Sequence, residues 1–322
     1  MKHIYYIATA LASALPTAAA ATYVYEGQWG RLGTGHGAFT EVSGVAVAPN
    51  GNVYVSDRRN DCIQYFTAGG SYLGKWGTPG NGPGQFDGPY GLAVAPNGAV
   101  YVADTDNDRV QYFTAAGSYL GRWGRPGSRA GDFDTPLGVA VARGGNVFVT
   151  DAENDRVQRF TPNGGYLGKW GRSGKGDGQF DFPTDVALAP DGRAYVVDAA
   201  NARVQYFTAF GTFLGKWGSL GYGEGQFFYP KAIAVSGDER VFVTEDFNHR
   251  VQHFTTSGSF LGTWGSLGRG GGEFNEPRGV ATFNDGKRVY VADTDNDRVQ
   301  FFRRVAYGVE PCSLGRVKAL FE

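Results

Sequence analysis

The chain has 322 residues with 30 basic and 31 acidic side chains, so it carries no bulk field to draw in nucleic acid or an anionic membrane. Its 51 Gly, 6 Trp, 18 Tyr and 23 Phe make too apolar a mixture for a disordered segment, and the Gly lack the third-residue period of collagen. A packed, turn-rich fold remains, and any recognition by charge must be local.

Residues 1–20 read as a signal peptide. Lys2 and His3 form a short polar start, Ile4 to Leu15 a mostly apolar run, Pro16 a break, and Ala18-Ala19-Ala20 a small-residue cleavage pattern. The mature chain is expected to begin near Ala21 and to be secreted, extracellular or periplasmic, where disulfides persist. An uncleaved anchor would need ~20 apolar residues, more than this run supplies, and no span is expected in the mature chain.

From Tyr23 onward one pattern recurs. All six Trp stand in a Trp-Gly pair, at Trp29, Trp76, Trp123, Trp170, Trp217 and Trp264, each 47 residues from the next. Phe39, Phe86, Phe133, Phe180, Phe227 and Phe274 keep the same interval, and a period of roughly 40 to 50 residues with several strands is that of a propeller blade. In the second unit four strands are predicted, Gly91 to Ala95, Ala99 to Asp104, Arg109 to Phe113 and Ser118 to Trp123. Their connections, Pro96-Asn97-Gly98 and Ala115-Ala116-Gly117, are short enough to make neighbours antiparallel. The last unit lacks a Trp-Gly strand, whereas Tyr23 to Trp29 precedes the first complete set. The N-terminal strand therefore closes an all-β, six-bladed propeller of four-stranded antiparallel blades over residues 21–304, followed by a tail at 305–322.

The columns divide by size. Ala46, Ala93, Ala140, Ala187, Ala234 and Ala281 belong on the innermost strand, where the taper admits only small side chains. Five aromatic columns are expected between the blades as core: the Trp, the residue four before it (Tyr25 to Phe260), the Phe before strand a, the Tyr or Phe of strand b and the Phe of strand c.

Strand b and its turn read Val289-Tyr290-Val291-Ala292-Asp293-Thr294-Asp295-Asn296-Asp297-Arg298-Val299-Gln300 in the last unit and Asn248-His249-Arg250-Val251-Gln252 in the fifth. This resembles the NHL repeat. The resemblance implies the propeller fold, and functions as different as a peptide-amidating lyase, RNA binding and receptor sensing.

Asp104-Thr105-Asp106-Asn107-Asp108 alternates oxygen donors as a calcium loop would, but lacks its Gly and its closing Glu. The reading preferred here is a turn in which the Asp column (Asp57, Asp104, Asp151, Asp198, Glu245, Asp293) bonds backbone and pairs with Arg109, Arg156, Arg203, Arg250 and Arg298. No cofactor is expected, with calcium as the competing possibility. The Gly-rich stretches match no phosphate-binding fingerprint. The amidating lyase implies zinc-binding His on separate blades, yet beyond the signal only His36, His249 and His253 occur.

In such a meander the d–a and b–c connections open on one face, where strand a begins beside the axis. There the residue before the opening Gly differs in every blade: Ser43, Tyr90, Leu137, Thr184, Lys231 and Arg278, with Asp185 replacing the Gly itself in the fourth. A ring that diversifies on a repeating frame is a candidate ligand site. The function expected is a secreted, non-catalytic module binding a protein segment, peptide or small molecule. The alternative is a channel-mouth hydrolase or lyase similar to lactonase-type propellers, metal-assisted if so. Lys231, Arg278, Arg58 and Arg59 form a basic arc predicted to meet an acidic partner group, with no nucleic acid expected. Cys62 stands where the other blades carry Arg, and the remaining cysteine, Cys312, follows the last blade, so a disulfide between them is expected.

Overall fold

A computed structural model describes residues 22–283 and 285–305; the expected signal, the tail beyond Val305 and Cys312 lie outside them. The described residues form six four-stranded antiparallel sheets with almost no helix. Blade 1 runs a Val42–Val47, b Val53–Asp57, c Cys62–Phe66 and d Tyr72–Trp76. Blades 2 to 5 repeat this order from Pro89, Pro136, Pro183 and Pro230. Blade 6 takes a, b and c from Pro277–Thr282, Arg288–Asp293 and Arg298–Val305, and its outer strand from Thr22–Trp29 at the other end of the chain. Tyr25 lies opposite Phe302 and Gln28 opposite Gln300, the closure expected from sequence. The six a strands pack on one another around the axis.

Small residues mark where rings must pass. A Cβ on Gly77, of the second Trp-Gly pair, would come 2.6 Å from the Phe86 ring, and its φ of +101° is open to few other residues. One constraint thereby explains two columns. Within strand d, a Cβ on Gly74 would come 2.6 Å from the Tyr65 ring, so this Gly lets the strand-c aromatic lie flat across it.

Between blades, Trp76 packs 5.7 Å from Phe113 of the next blade, and the Gly117 turn of that blade rests on its indole. The strand-b tyrosines reach the same turn, with Tyr54 Oη donating to Ala115 O at 2.9 Å. The repeat closes the ring, since Tyr290 Oη of blade 6 donates to Ala68 O of blade 1 at 2.9 Å. Three of the five aromatic columns are buried core as expected, and the Trp column is half-buried against it. The Tyr column of strand d is not fully so: Tyr25, Tyr119 and Tyr166 are about two-fifths exposed, because the outermost strand has no blade beyond it to cover that face.

Candidate functional site

Each d–a connection is fastened over its blade by one buried network. Asp104 accepts from Asp87 N at 2.8 Å, Asn107 Nδ2 at 3.0 Å, Gln111 Nε2 at 3.0 Å and Arg109 Nε at 2.5 Å. Arg109 in turn donates to the carbonyls of Gly82 and Gln85. The Asp and Arg columns are thus turn fasteners, and the oxygens that calcium would need are turned to N–H groups and a guanidinium. A further column ties blades together. Asp108 Oδ1 accepts from Thr135 N of blade 3 at 2.8 Å, and Asp61, Asp155, His249 and Asp297 do likewise toward their next blades. His249 is accordingly a backbone acceptor, and Ala202 is the one member with no side chain to offer.

Blade 1 departs from this frame. Cys62 replaces the Arg, leaving Asp57 buried with Thr40 N, Asn60 and Gln64 as donors and no cation. Burial, offset only in part by those donors, pushes its carboxyl up to about 6. The Cys62 thiol is pushed up to about 12 by burial and by Asp57. Cys62 is buried and unpaired among the described residues; it opens strand c on the loop face, whereas Val305 ends strand c of blade 6 at the other end.

The predicted ring gathers at the channel mouth around a cavity of about 70 Å³ lined by Ser43, Tyr90, Thr184, Asp185, Lys231 and Arg278 among others. That volume holds a few waters or the tip of a ligand. Leu137 is buried and does not line it, and Ser43 and Thr184 turn their hydroxyls to the next blade, on Pro89 O at 3.1 Å and Pro230 O at 3.4 Å. Four groups remain to meet a ligand. Asp185 accepts from Val186 N at 2.8 Å and Ile233 N at 2.9 Å, while burial pushes its carboxyl up to about 7. Gly138 leaves it room, since a Cβ there would lie 2.4 Å from Oδ1. Tyr90 is held strongly in its phenol form by burial, with Arg278 acting in the opposite direction.

The basic arc is already paired. Lys231 Nζ lies 3.4 Å from Asp246 and 4.6 Å over the Tyr229 ring; burial lowers its proton affinity against the pull of Asp246. Arg278 contacts Glu41 at 2.9 Å and Glu276 at 2.7 Å. Arg58 and Arg59 reach the same Glu41 at 3.2 Å and 2.5 Å. Burial alone would raise the Glu41 carboxyl, but Arg59, Arg58 and Arg278 hold it below its ordinary value. An acidic partner group would therefore have to displace these anions. The sequence reading had Asp246 and Asp295 diluting the arc, but Glu41 and Glu276 escaped it. A signal existed for both: Glu41, Gly88, Thr135, Phe182, Tyr229 and Glu276 form a second variable ring two residues upstream of the first. All six have φ between +51° and +70°, although only one is Gly.

On the opposite face the channel widens to about 980 Å³, lined by Val47, Val94, Val141, Leu188 and Val235.

The NHL repeat model matches residues 39–66, 86–113, 133–160, 180–207 and 274–302, each from the Phe before strand a to a Phe of strand c. The chain is an NHL-repeat propeller. No curated protein matches its sequence. Among solved structures, this NHL propeller is similar to a streptogramin B lyase, at 14% identity, 88% of this chain, 98% of that one and a TM-score of 0.61. It is similar to a gluconolactonase from Xanthomonas campestris, at 15%, 90%, 99% and 0.62. A protein of unknown function from Bacteroides thetaiotaomicron gives 16%, 88%, 76% and 0.66. Such identities speak for the fold alone.

The metals implied by the amidating lyase and the lactonases do not fit the residues present. His36 stacks on Tyr72 at 4.6 Å, and His253 is packed against Tyr23 with burial lowering it to about 4. The cavity lining offers one carboxylate, Asp185, beside two cations that already engage Glu41, Asp246 and Glu276, a poor donor set for a divalent ion. Among the described residues no group of three or more His, Cys, Asp or Glu is placed to hold a metal ion. No helix there is long and apolar enough to cross a membrane.

Proposed function

We propose that this NHL propeller is an exported recognition module that holds a protein segment, peptide or small molecule on its loop face, around the channel mouth. The observation that carries this reading is the convergence of Tyr90, Asp185, Lys231 and Arg278, from four different blades, on one small cavity of an otherwise repeating frame. A scaffold role asks for no such diversity. Recognition is preferred to catalysis because the cavity lining has a single carboxylate, Asp185, a poor site for a catalytic metal ion. Export rests on the first 20 residues, and the product then begins near Ala21; a disulfide between Cys62 and Cys312 belongs to the same reading. A thermal-shift screen of peptides, sugars and lactones against the wild type and a Tyr90→Ala/Lys231→Ala variant tests it. Hits that stabilise only the wild type support the site; hits indifferent to the substitutions overturn it.

One observation favours a second reading, a channel-mouth hydrolase or lyase. The Asp185 carboxyl, pushed up to about 7 by burial in the cavity that Tyr90 also lines, suits proton transfer at neutral pH. Lactone hydrolysis by the wild type that is lost in Asp185→Asn would establish it.

A further inference from the structure

Blade 5 differs from the other five on the loop face. Phe228 stands where they carry Thr40, Asp87, Asp134, Asp181 and Asn275, and Phe247 where they carry Arg59, Asp106, Glu153, Ala200 and Asp295. Tyr222 replaces Thr34, Asn81, Ser128, Lys175 and Arg269. The rings touch in sequence: Tyr222 to Phe228 at 5.6 Å, Phe228 to Phe247 at 5.3 Å and Phe247 to Tyr229 at 5.7 Å. Nothing in the described chain covers their outer end, where Tyr222 is 72% and Phe247 49% exposed. Single exposed aromatics are common, but a contiguous set built by departures from a repeat marks an interaction surface.

The surroundings specify the charge of what binds. At its inner end the cluster already seats a cation, the Lys231 ammonium over Tyr229. Near its outer end Glu224, two residues along from Tyr222, makes no ion pair among the described residues, whereas the Arg250 guanidinium on Tyr222 O is paired with Glu245 and the Glu276 carboxylate with Arg278. Beyond Glu276, exposed Asp295 is raised by burial and then by repulsion from Glu276, with Asp246 and Glu41 adding to it and only Arg278 opposing. Glu224 and Asp295 are the acidic groups of this region without an ion pair among the described residues, and exposed aromatic faces near such carboxylates attract a cation. The rings are tilted to one another by 40° to 70°, so they form notches for single side chains rather than a flat platform.

We propose that the aromatic cluster of blade 5 is the docking site of an extended protein segment bearing a basic side chain next to an aromatic or proline residue. The basic group lies on the faces of Tyr222 and Phe247, within reach of Glu224, and the apolar residue fills a notch between rings. This deepens the loop-face reading above and rests on it. It also reverses the partner charge that Lys231 and Arg278 suggest in the sequence, because those two cations are paired internally.

The test is selection of a displayed random-peptide library on the purified chain. Three variants follow: Tyr222→Ser/Phe247→Ser, Glu224→Lys, and Tyr90→Ala/Lys231→Ala at the mouth, each checked by its melting temperature. Enriched peptides should pair Lys or Arg with Trp, Phe, Tyr or Pro. The aromatic variant should weaken them by about tenfold or more, Glu224→Lys by several-fold, and added salt should weaken them too. Enrichment of acidic peptides, absence of any enriched peptide, or peptides indifferent to the aromatic variant would each overturn the proposal. Binding that survives the aromatic variant but fails in the mouth variant would overturn it while sparing the loop-face reading.

Discussion

Arg278 lies 2.9 Å from Glu41 although 237 residues separate them, and this pair joins blade 6 to the loop that opens blade 1. Glu41 also holds Arg58 and Arg59, so one carboxylate is shared by three guanidinium groups at the channel mouth, with Glu276 and Asp106 completing the balance. Glu41→Gln should cost about 1–3 kcal/mol at neutral pH, since it leaves the largely buried Arg278 with less negative charge. The Glu41 carboxyl is depressed in the fold, so its contribution is present above its unfolded value and lost as pH falls through the folded one. Urea titrations at neutral and at strongly acidic pH check this: the variant and wild type should converge in acid.

Cys62→Arg should restore in blade 1 the ion pair of the other five. Asp57 is raised to about 6, so the stability linked to its proton is fully present below its unfolded value and lost as pH rises through about 6. That loss amounts to roughly 2–3 kcal/mol at neutral pH for a shift of this size. The variant should be more stable than the wild type at pH 8 and nearly equal at pH 4, by denaturant midpoint. A variant less stable than the oxidised wild type, and equal to the reduced one, would instead indicate that Cys62 forms a disulfide.

Ala202→Asp should add the missing tie between blades 4 and 5. Ala202 has φ +52°, matching +52° at Asp155, whose carboxylate accepts from Phe182 N. Tyr229, with φ +56° against +55° at Phe182, presents the equivalent N–H. A gain of about 1 kcal/mol is expected by thermal or chemical melting, and a lower midpoint would refute the equivalence.

Removing residues 21–30 should expose the edge of strand Arg298–Val305 and strip Tyr23 from Trp264, on which it stacks at 4.9 Å. Aggregation or loss of a single cooperative transition is expected. A truncated chain as soluble and as stable as the mature one would show that closure by the N-terminal strand is dispensable.

The repeat made the architecture legible. Trp-Gly pairs 47 residues apart, four strand-length runs per unit and an unmatched strand at each end leave one closed arrangement, because only ring closure removes the edges. The Asp and Arg columns were readable for the same reason: their partners lie within one turn, as Asp104 and Arg109 do at 2.5 Å. The ring of Ser43, Tyr90, Leu137, Thr184, Lys231 and Arg278 was also visible as variation on a constant frame, and most of it lines the mouth. What the ring does was not visible. Whether Lys231 and Arg278 are free or neutralised depends on Glu276, two residues before Arg278, on Asp246 from the b–c turn, and on Glu41 from the opposite end of the blade sequence. Likewise Tyr222, Phe228, Tyr229 and Phe247 come from two separate connections of blade 5, and become one surface only when the d–a and b–c loops meet on the same face. Local pairing follows the chain and can be read along it, whereas charge balance and ring-to-ring contact fall off over a few ångströms and are decided by which loops the closed propeller brings side by side.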